Sequence, residues 1–274
     1  MATGLRVTEL MTNSISENIN KKLSIQVRLD GLSFFIQNLD TLEVEHYENH
    51  PFTKRVDPLG LTQELENLYN TSTLLKQAYK KVVVVYVNSL FTFVPKAIFN
   101  EESLVDYLKF NTKILATDYI AHDILEEQEM VCVYVPYTNC NNLFFDYYGN
   151  FEYRHSMSLL AQHTLSSKNK QDESPRLLIN VYKSSFEVIV YQSTKLLLAN
   201  SFEFITKEDF IYYLLFTMEQ LNLDPETTIV ELVGDIAEES ALYEIAYTYI
   251  REVSISNKEH HPIDLTEYTL TTLL

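Results

Sequence analysis

Most side chains in this sequence that could do chemistry are carboxylates. The chain has 38 Asp and Glu against 21 Lys and Arg, with seven His and two Cys. Several carboxylates converging on two metal ions about 4 Å apart would serve phosphodiester hydrolysis. Asp30, Glu64 or Glu66, and Asp118 or Asp123 can be put forward for that role. Such triples arise by chance among 38 acids, and a net charge of −17 repels a phosphate backbone. Nucleic acid is therefore not expected as a partner, and no catalytic or metal-ligating set is assigned.

The remaining candidates are weaker. His155 and His163 have no Ser or Cys partner in a nucleophile-elbow context, and His260-His261 reads as a solvated turn before Pro262. Cys132 and Cys140 lack both CxxC spacing and a nearby His pair, which argues against zinc. Cys132 in VCVYV reads as a small buried hydrophobe and Cys140 as a helix-start residue. Two Gly-acid pairs remain. Asp30-Gly31 has the form of a two-residue hairpin turn with positive φ at Gly, and Gly234-Asp235 precedes a helical pattern in which Asp235 and Glu238 make a cap-like pair.

The elements that hold these residues repeat. Lys22–Asn49 alternates apolar and polar residues over three strand-like runs, and Arg176–Phe204 does so again about 150 residues later. After the first meander, Leu61, Leu65, Leu68 and Leu75 fall near helical spacing, with Thr62 or a neighbour as cap. The run Val82–Val87 does not alternate, as expected of a strand covered on both faces. FTFVP, a helix from near Asn100, strand-like ILATDYIAHDI, MVCVYVPY and a short aromatic helix NNLFFDYYG follow. The most polar stretch, Ser166–Pro175, is read as a connection. In the second half Thr206 to Asp209 resembles a capping box before Phe210, Leu214, Met218 and Leu221; TIVELVG, a helix and the strand REVSIS then follow. The limits expected are an arm over 1–21, a first lobe over 22–167, a connection over 168–175 and a shorter second lobe over 176–274.

Composition agrees with a globular chain. It is 46% hydrophobic, with 5 Gly, 19 Tyr and 15 Phe, and has neither a secretory h-region nor an apolar run near ~18 residues. A cytoplasmic protein without membrane insertion is expected. Its acidity favours basic protein partners, and the stretch LFFDYYGNFEY could offer them an aromatic surface.

Two copies of three strands, helix, central strand, helix and strand call for mixed α/β sheets rather than a doubly wound one. This order resembles the ribonuclease H-like fold. Its duplication over residues 22–257 resembles the actin-like ATPase superfamily, and most of all an uncharacterised bacterial domain-of-unknown-function family with that fold. The resemblance implies two ribonuclease H-like lobes, with ATP and magnesium as cofactors in active members. The superfamily's first phosphate loop reads Asp-x-Gly-Thr/Ser after an apolar strand. With Gly31 on the family glycine, Leu29 takes the Asp position and Leu32 the Thr position. The second loop corresponds to Lys183-Ser184-Ser185, without glycine or acid, and the adenosine motif is half retained as Leu232-Val233-Gly234-Asp235. The expectation is a non-catalytic actin-like scaffold or partner-binding protein with no cofactor. The alternative is a divergent ATPase using Asp30, Gly31, Gly234 and Asp235.

Overall fold

The computed structural model describes residues 20–115, 117–166, 174–256 and 267–274. The expected arm over 1–21 and connection over 168–175 fall mostly outside these residues, and His260-His261 falls wholly outside them.

The first repeat runs β1 (Lys21–Arg28), β2 (Gly31–Asn38), β3 (Val44–Pro51), α1 (Pro58–Thr71) and β4 (Lys81–Tyr86). An insertion follows, made of β5 (Phe91–Pro95), α2 (Leu104–Leu108), β6 (Ala121–Leu125) and β7 (Met130–Tyr134). The repeat closes with α3 (Thr138–Tyr148) and β8 (Glu152–His155), and α4 (Ser156–Ser166) comes next. The second repeat is β9 (Pro175–Val181), β10 (Ser185–Gln192), β11 (Lys195–Glu203), α5 (Lys207–Gln220), β12 (Ile229–Gly234), α6 (Ala241–Tyr249) and β13 (Glu252–Ile255), with a short α7 (Tyr268–Thr271) near the end.

The sheets confirm the duplication. Their strand orders are β3-β2-β1-β4-β8 and β11-β10-β9-β12-β13, so each meander lies beside a parallel strand reached through a helix. A separate sheet, β5-β7-β6, is formed by the insertion. β4 is parallel to β1 and buried from Val82 to Tyr86, which explains why its sequence does not alternate.

Packing divides the described residues into two compact units. The first takes those up to Tyr86 together with Pro136–Arg154, and the second takes Val87–Val135 together with those from His155 to Leu273. These units follow packing and interleave in the chain, whereas the limits expected from the repeat follow sequence order. In the first unit Leu61, Leu65 and Tyr69 of α1 are fully buried against Leu23, Ile25, Val27 and Phe34 of the sheet. Each such side chain contributes roughly 1.5–3 kcal/mol of apolar burial. The core of the second repeat gathers Phe210, Leu214 and Met218 of α5 over Val188, Val190 and Leu232. A smaller core of Val94, Leu108, Val131 and Val133 joins the insertion's strands to α2.

Several local expectations are corrected. The cap of α1 is Asp57, not Thr62: its Oδ1 accepts from the Gly60 N–H at 2.7 Å, and Pro58 opens the helix. The strand expected over ILATDYIAHDI is confined to Ala121–Leu125, because the Asp118 side chain accepts the Leu115 N–H at 2.7 Å and turns the preceding chain. Asp235 does not cap α6, which starts at Ala241 with Ser240 accepting from the Tyr243 N–H. The capping box at Thr206 and Asp209 is present as expected.

Candidate functional site

The candidate residues lie in two places, one in each unit. In the first unit, β1 and β2 pair as far as Arg28 and Gly31, leaving Leu29-Asp30 as the two-residue connection. No residue of this turn has positive φ, so the turn chemistry expected of Gly31 is not what the position uses. Gly31 begins β2 instead, opposite Pro51, and a Cβ there would lie 3.1 Å from the His50 carbonyl oxygen and 3.2 Å from Pro51 Cα. Its role is close backbone approach. The turn is tied down on both strands of its backbone: the Leu29 carbonyl accepts from the Val56 N–H and the Asp30 carbonyl from the Phe52 N–H, each at 2.8 Å. The buried Asp30 carboxylate accepts from Arg28 Nε at 3.0 Å.

In the second unit, Gly234 ends β12 with φ of 88°, and a Cβ there would lie 2.3 Å from the Val181 carbonyl oxygen. Only glycine fits this crossing. The Asp235 N–H donates to that same carbonyl at 2.8 Å, and the Ile236 N–H donates to the Gly234 carbonyl at 2.9 Å. At Lys183-Ser184, the turn between β9 and β10, the Ser184 carbonyl accepts from the Phe204 N–H at 3.1 Å.

Beside Gly234 lies a polar cluster that sequence reasoning missed. Glu187 on β10 is buried and accepts from Tyr182 Oη at 2.9 Å, from Asn180 Nδ2 at 3.0 Å and from Ser156 Oγ. Asn180 Nδ2 also donates to Thr269 Oγ1 at 2.9 Å, joining α7 to the sheet. The available signal was an acid at position 187 between apolar residues of a strand with two covered faces.

A second buried cluster surrounds His155, which is fully buried. Its Nδ1 accepts from the Met157 N–H at 3.2 Å, so the ring proton sits on Nε2 and faces Asn88 Oδ1 at 3.4 Å. Asp123 accepts from the His155 N–H at 2.9 Å and from Tyr134 Oη at 3.2 Å. Burial lowers the imidazole pKa to about 3. This is a neutral structural histidine. Asp118 and Asp123 are thus engaged locally, and no group of three or more His, Cys, Asp or Glu among the described residues is arranged to hold a metal ion. Both cysteines are free and buried, and burial pushes the Cys140 thiol up to about 12. The aromatic stretch on α3 divides: Phe144 is buried, Phe145 and Tyr147 are exposed, and Tyr148 bonds Tyr69 through their hydroxyls at 2.6 Å.

The sequence pattern of the family described as "Protein of unknown function (DUF3822)" matches residues 11–253. The chain belongs to this family. Among solved structures, the DUF3822 chain is similar to a Bacteroides thetaiotaomicron protein with actin-like ATPase fold and unknown function, at 23% identity and a TM-score of 0.83, covering 94% of this chain and 97% of that one. It is also similar to the PilM-PilN type IV pilus biogenesis complex, at 11% identity and a TM-score of 0.53, covering 90% and 91%. No curated protein matches it in sequence. The DUF3822 chain has the actin-like ATPase fold, as the duplicated element order implied. No helix among its described residues is long and apolar enough to cross a membrane.

Proposed function

We propose that this chain is a non-catalytic member of the actin-like fold that works in the cytoplasm by binding a protein partner. The observation that carries the reading is that the groups a nucleotide would need are bonded within the protein. Asp30, the carboxylate of the first loop, is paired with Arg28; the N–H groups of Asp235 and Ile236 are donated to backbone carbonyls. Recruiting Asp30 to magnesium breaks an existing bond of a buried carboxylate, at a cost of about 1–3 kcal/mol, and a phosphate at the exposed Asp235 would have to compete with a carbonyl for its N–H. Partner binding is supported by the similarity to PilM, which was solved in complex with PilN, and by an acidic charge that draws basic partners.

Thermal unfolding with and without millimolar Mg-ATP tests the reading. The expected result is no shift. Ligand at 100 times its dissociation constant stabilises a fold by about 2.7 kcal/mol, and a rise of that size would instead favour the ATP-binding alternative through Asp30, Gly31, Gly234 and Asp235, with hydrolysis then assayed separately.

A further inference from the structure

The second unit contains a groove of about 590 Å³ between two sheet edges that no strand among the described residues pairs with. One wall is β5, the edge of the insertion's sheet, and the other is β11, the edge of the second repeat's sheet. The groove is lined by Phe91, Phe93 and Met130 on one side and Leu197, Leu198 and Ala199 on the other, among others, and every lining side chain among the described residues is uncharged.

The ladder parity shows which backbone groups face outward. In an antiparallel pair alternate residues turn their N–H and C=O toward the partner strand and the intervening residues turn theirs away. The Val135 N–H bonds the Leu90 carbonyl and the Lys96 N–H bonds the Glu129 carbonyl, so the even-numbered residues of β5 face β7 and Phe91 and Phe93 face outward. Likewise the Phe204 N–H bonds the Ser184 carbonyl, so Phe202, Asn200 and Leu198 face β10 and Ala199 faces outward. Proteins generally blunt exposed edges with lysines, prolines or cover. Here Pro95 and Lys195 stand only at strand ends, and the stretches between them carry no charge.

We propose that this groove takes an extended segment of a partner protein as an added β-strand, and that this is how the partner-binding function proposed above is carried out. The groove's volume is within the range of specific ligand sites, about 300–1,000 Å³. Five residues of strand span roughly 17 Å, the length of β5. The uncharged lining selects an uncharged central stretch, because a charge there loses water without gaining a partner. The net charge of −17 selects Lys or Arg on the segment's flanks. Backbone pairing supplies affinity, and alternate side chains entering the groove supply specificity.

The test uses the full chain and a displayed library of nine-residue peptides with randomised centres, followed by fluorescence anisotropy on a selected peptide. The expected result is enrichment of alternating apolar centres with basic flanks, and at least a tenfold loss of affinity in Ala199→Pro. That substitution removes only the outward N–H and leaves the bonds to β10 in place. The same loss is expected with wild-type protein when alternate amides of the peptide are N-methylated, which does not depend on the variant's folding. No enrichment over a control surface overturns the proposal, as does binding unaffected by either change. If Ala199→Pro instead converts a dimer to a monomer in light scattering, the occupant is a second copy and the proposal fails. Peptide binding that ignores both changes still leaves the partner-binding reading standing, whereas Mg-ATP stabilisation removes that reading itself.

Discussion

Arg28 and Asp30 meet across the β1–β2 turn, with Nε 3.0 Å from Oδ1 and both side chains only about a tenth exposed. The pair holds the turn, since Leu29 and Asp30 anchor the chain between β3 and α1 through their carbonyls. Asp30→Ala is therefore expected to lower stability by about 2 kcal/mol without any nucleotide present, with Asp30→Asn costing less. Urea unfolding measures both. A neutral Asp30→Ala would mean that the pair does not support the turn.

Gly234 and Gly149 separate steric crowding from backbone strain. Both have positive φ, 88° and 69°, but a Cβ at Gly234 meets the Val181 carbonyl oxygen at 2.3 Å while one at Gly149 meets nothing within 4 Å. Gly234→Ala is expected to cost about 3 kcal/mol or more and Gly149→Ala about 1–2 kcal/mol. Equal losses would remove the crossing as the reason for glycine at 234.

Glu187 gives a test of the buried network. Removing its carboxylate in Glu187→Ala takes away Oε2, which accepts from Tyr182 and Asn180, and Oε1, which accepts from Ser156, and a loss of roughly 2–4 kcal/mol is expected. Glu187→Gln keeps one acceptor and should fall between. If Glu187→Gln matches wild type in thermal unfolding, the carboxylate's charge plays no part in holding the cluster.

His155 sets a pH dependence. Its pKa is lowered to about 3 in the fold, against an ordinary value near 6.5, so between these values the unfolded chain binds a proton that the folded chain refuses. The contribution is complete above pH 6.5 and is lost as pH falls, at about 1.4 kcal/mol per unit. From pH 7 to pH 5 this residue should remove roughly 2 kcal/mol of stability, and the His155→Gln variant should lack that share. An identical pH slope in wild type and variant would contradict the assignment.

Asp57 and Thr62 distinguish the observed cap from the expected one. Asp57→Ala is expected to cost about 1 kcal/mol, and Thr62→Ala to stay within about 0.5 kcal/mol. Thermal unfolding of the two variants is the measurement, and a larger loss at Thr62 would restore the sequence reading.

The repeat is written along the chain. Alternation over Lys22–Asn49 and Arg176–Phe204, the unbroken apolar run at β4 and the capping box at Thr206 are local patterns, and each became the element it implied. Local rules misjudged positions where a distant backbone decides. Gly31 looked like a turn glycine but is held by β3, and Asp235 looked like a cap but its N–H belongs to Val181. The Glu187 cluster draws on residues from 156 to 269, and the β5–β11 groove on strands about 100 residues apart. Neither is a pattern along the chain. Hydrophobic period and capping are properties of neighbours in sequence, whereas burial of an acid, or exposure of an edge, exists only once separate strands have been brought together.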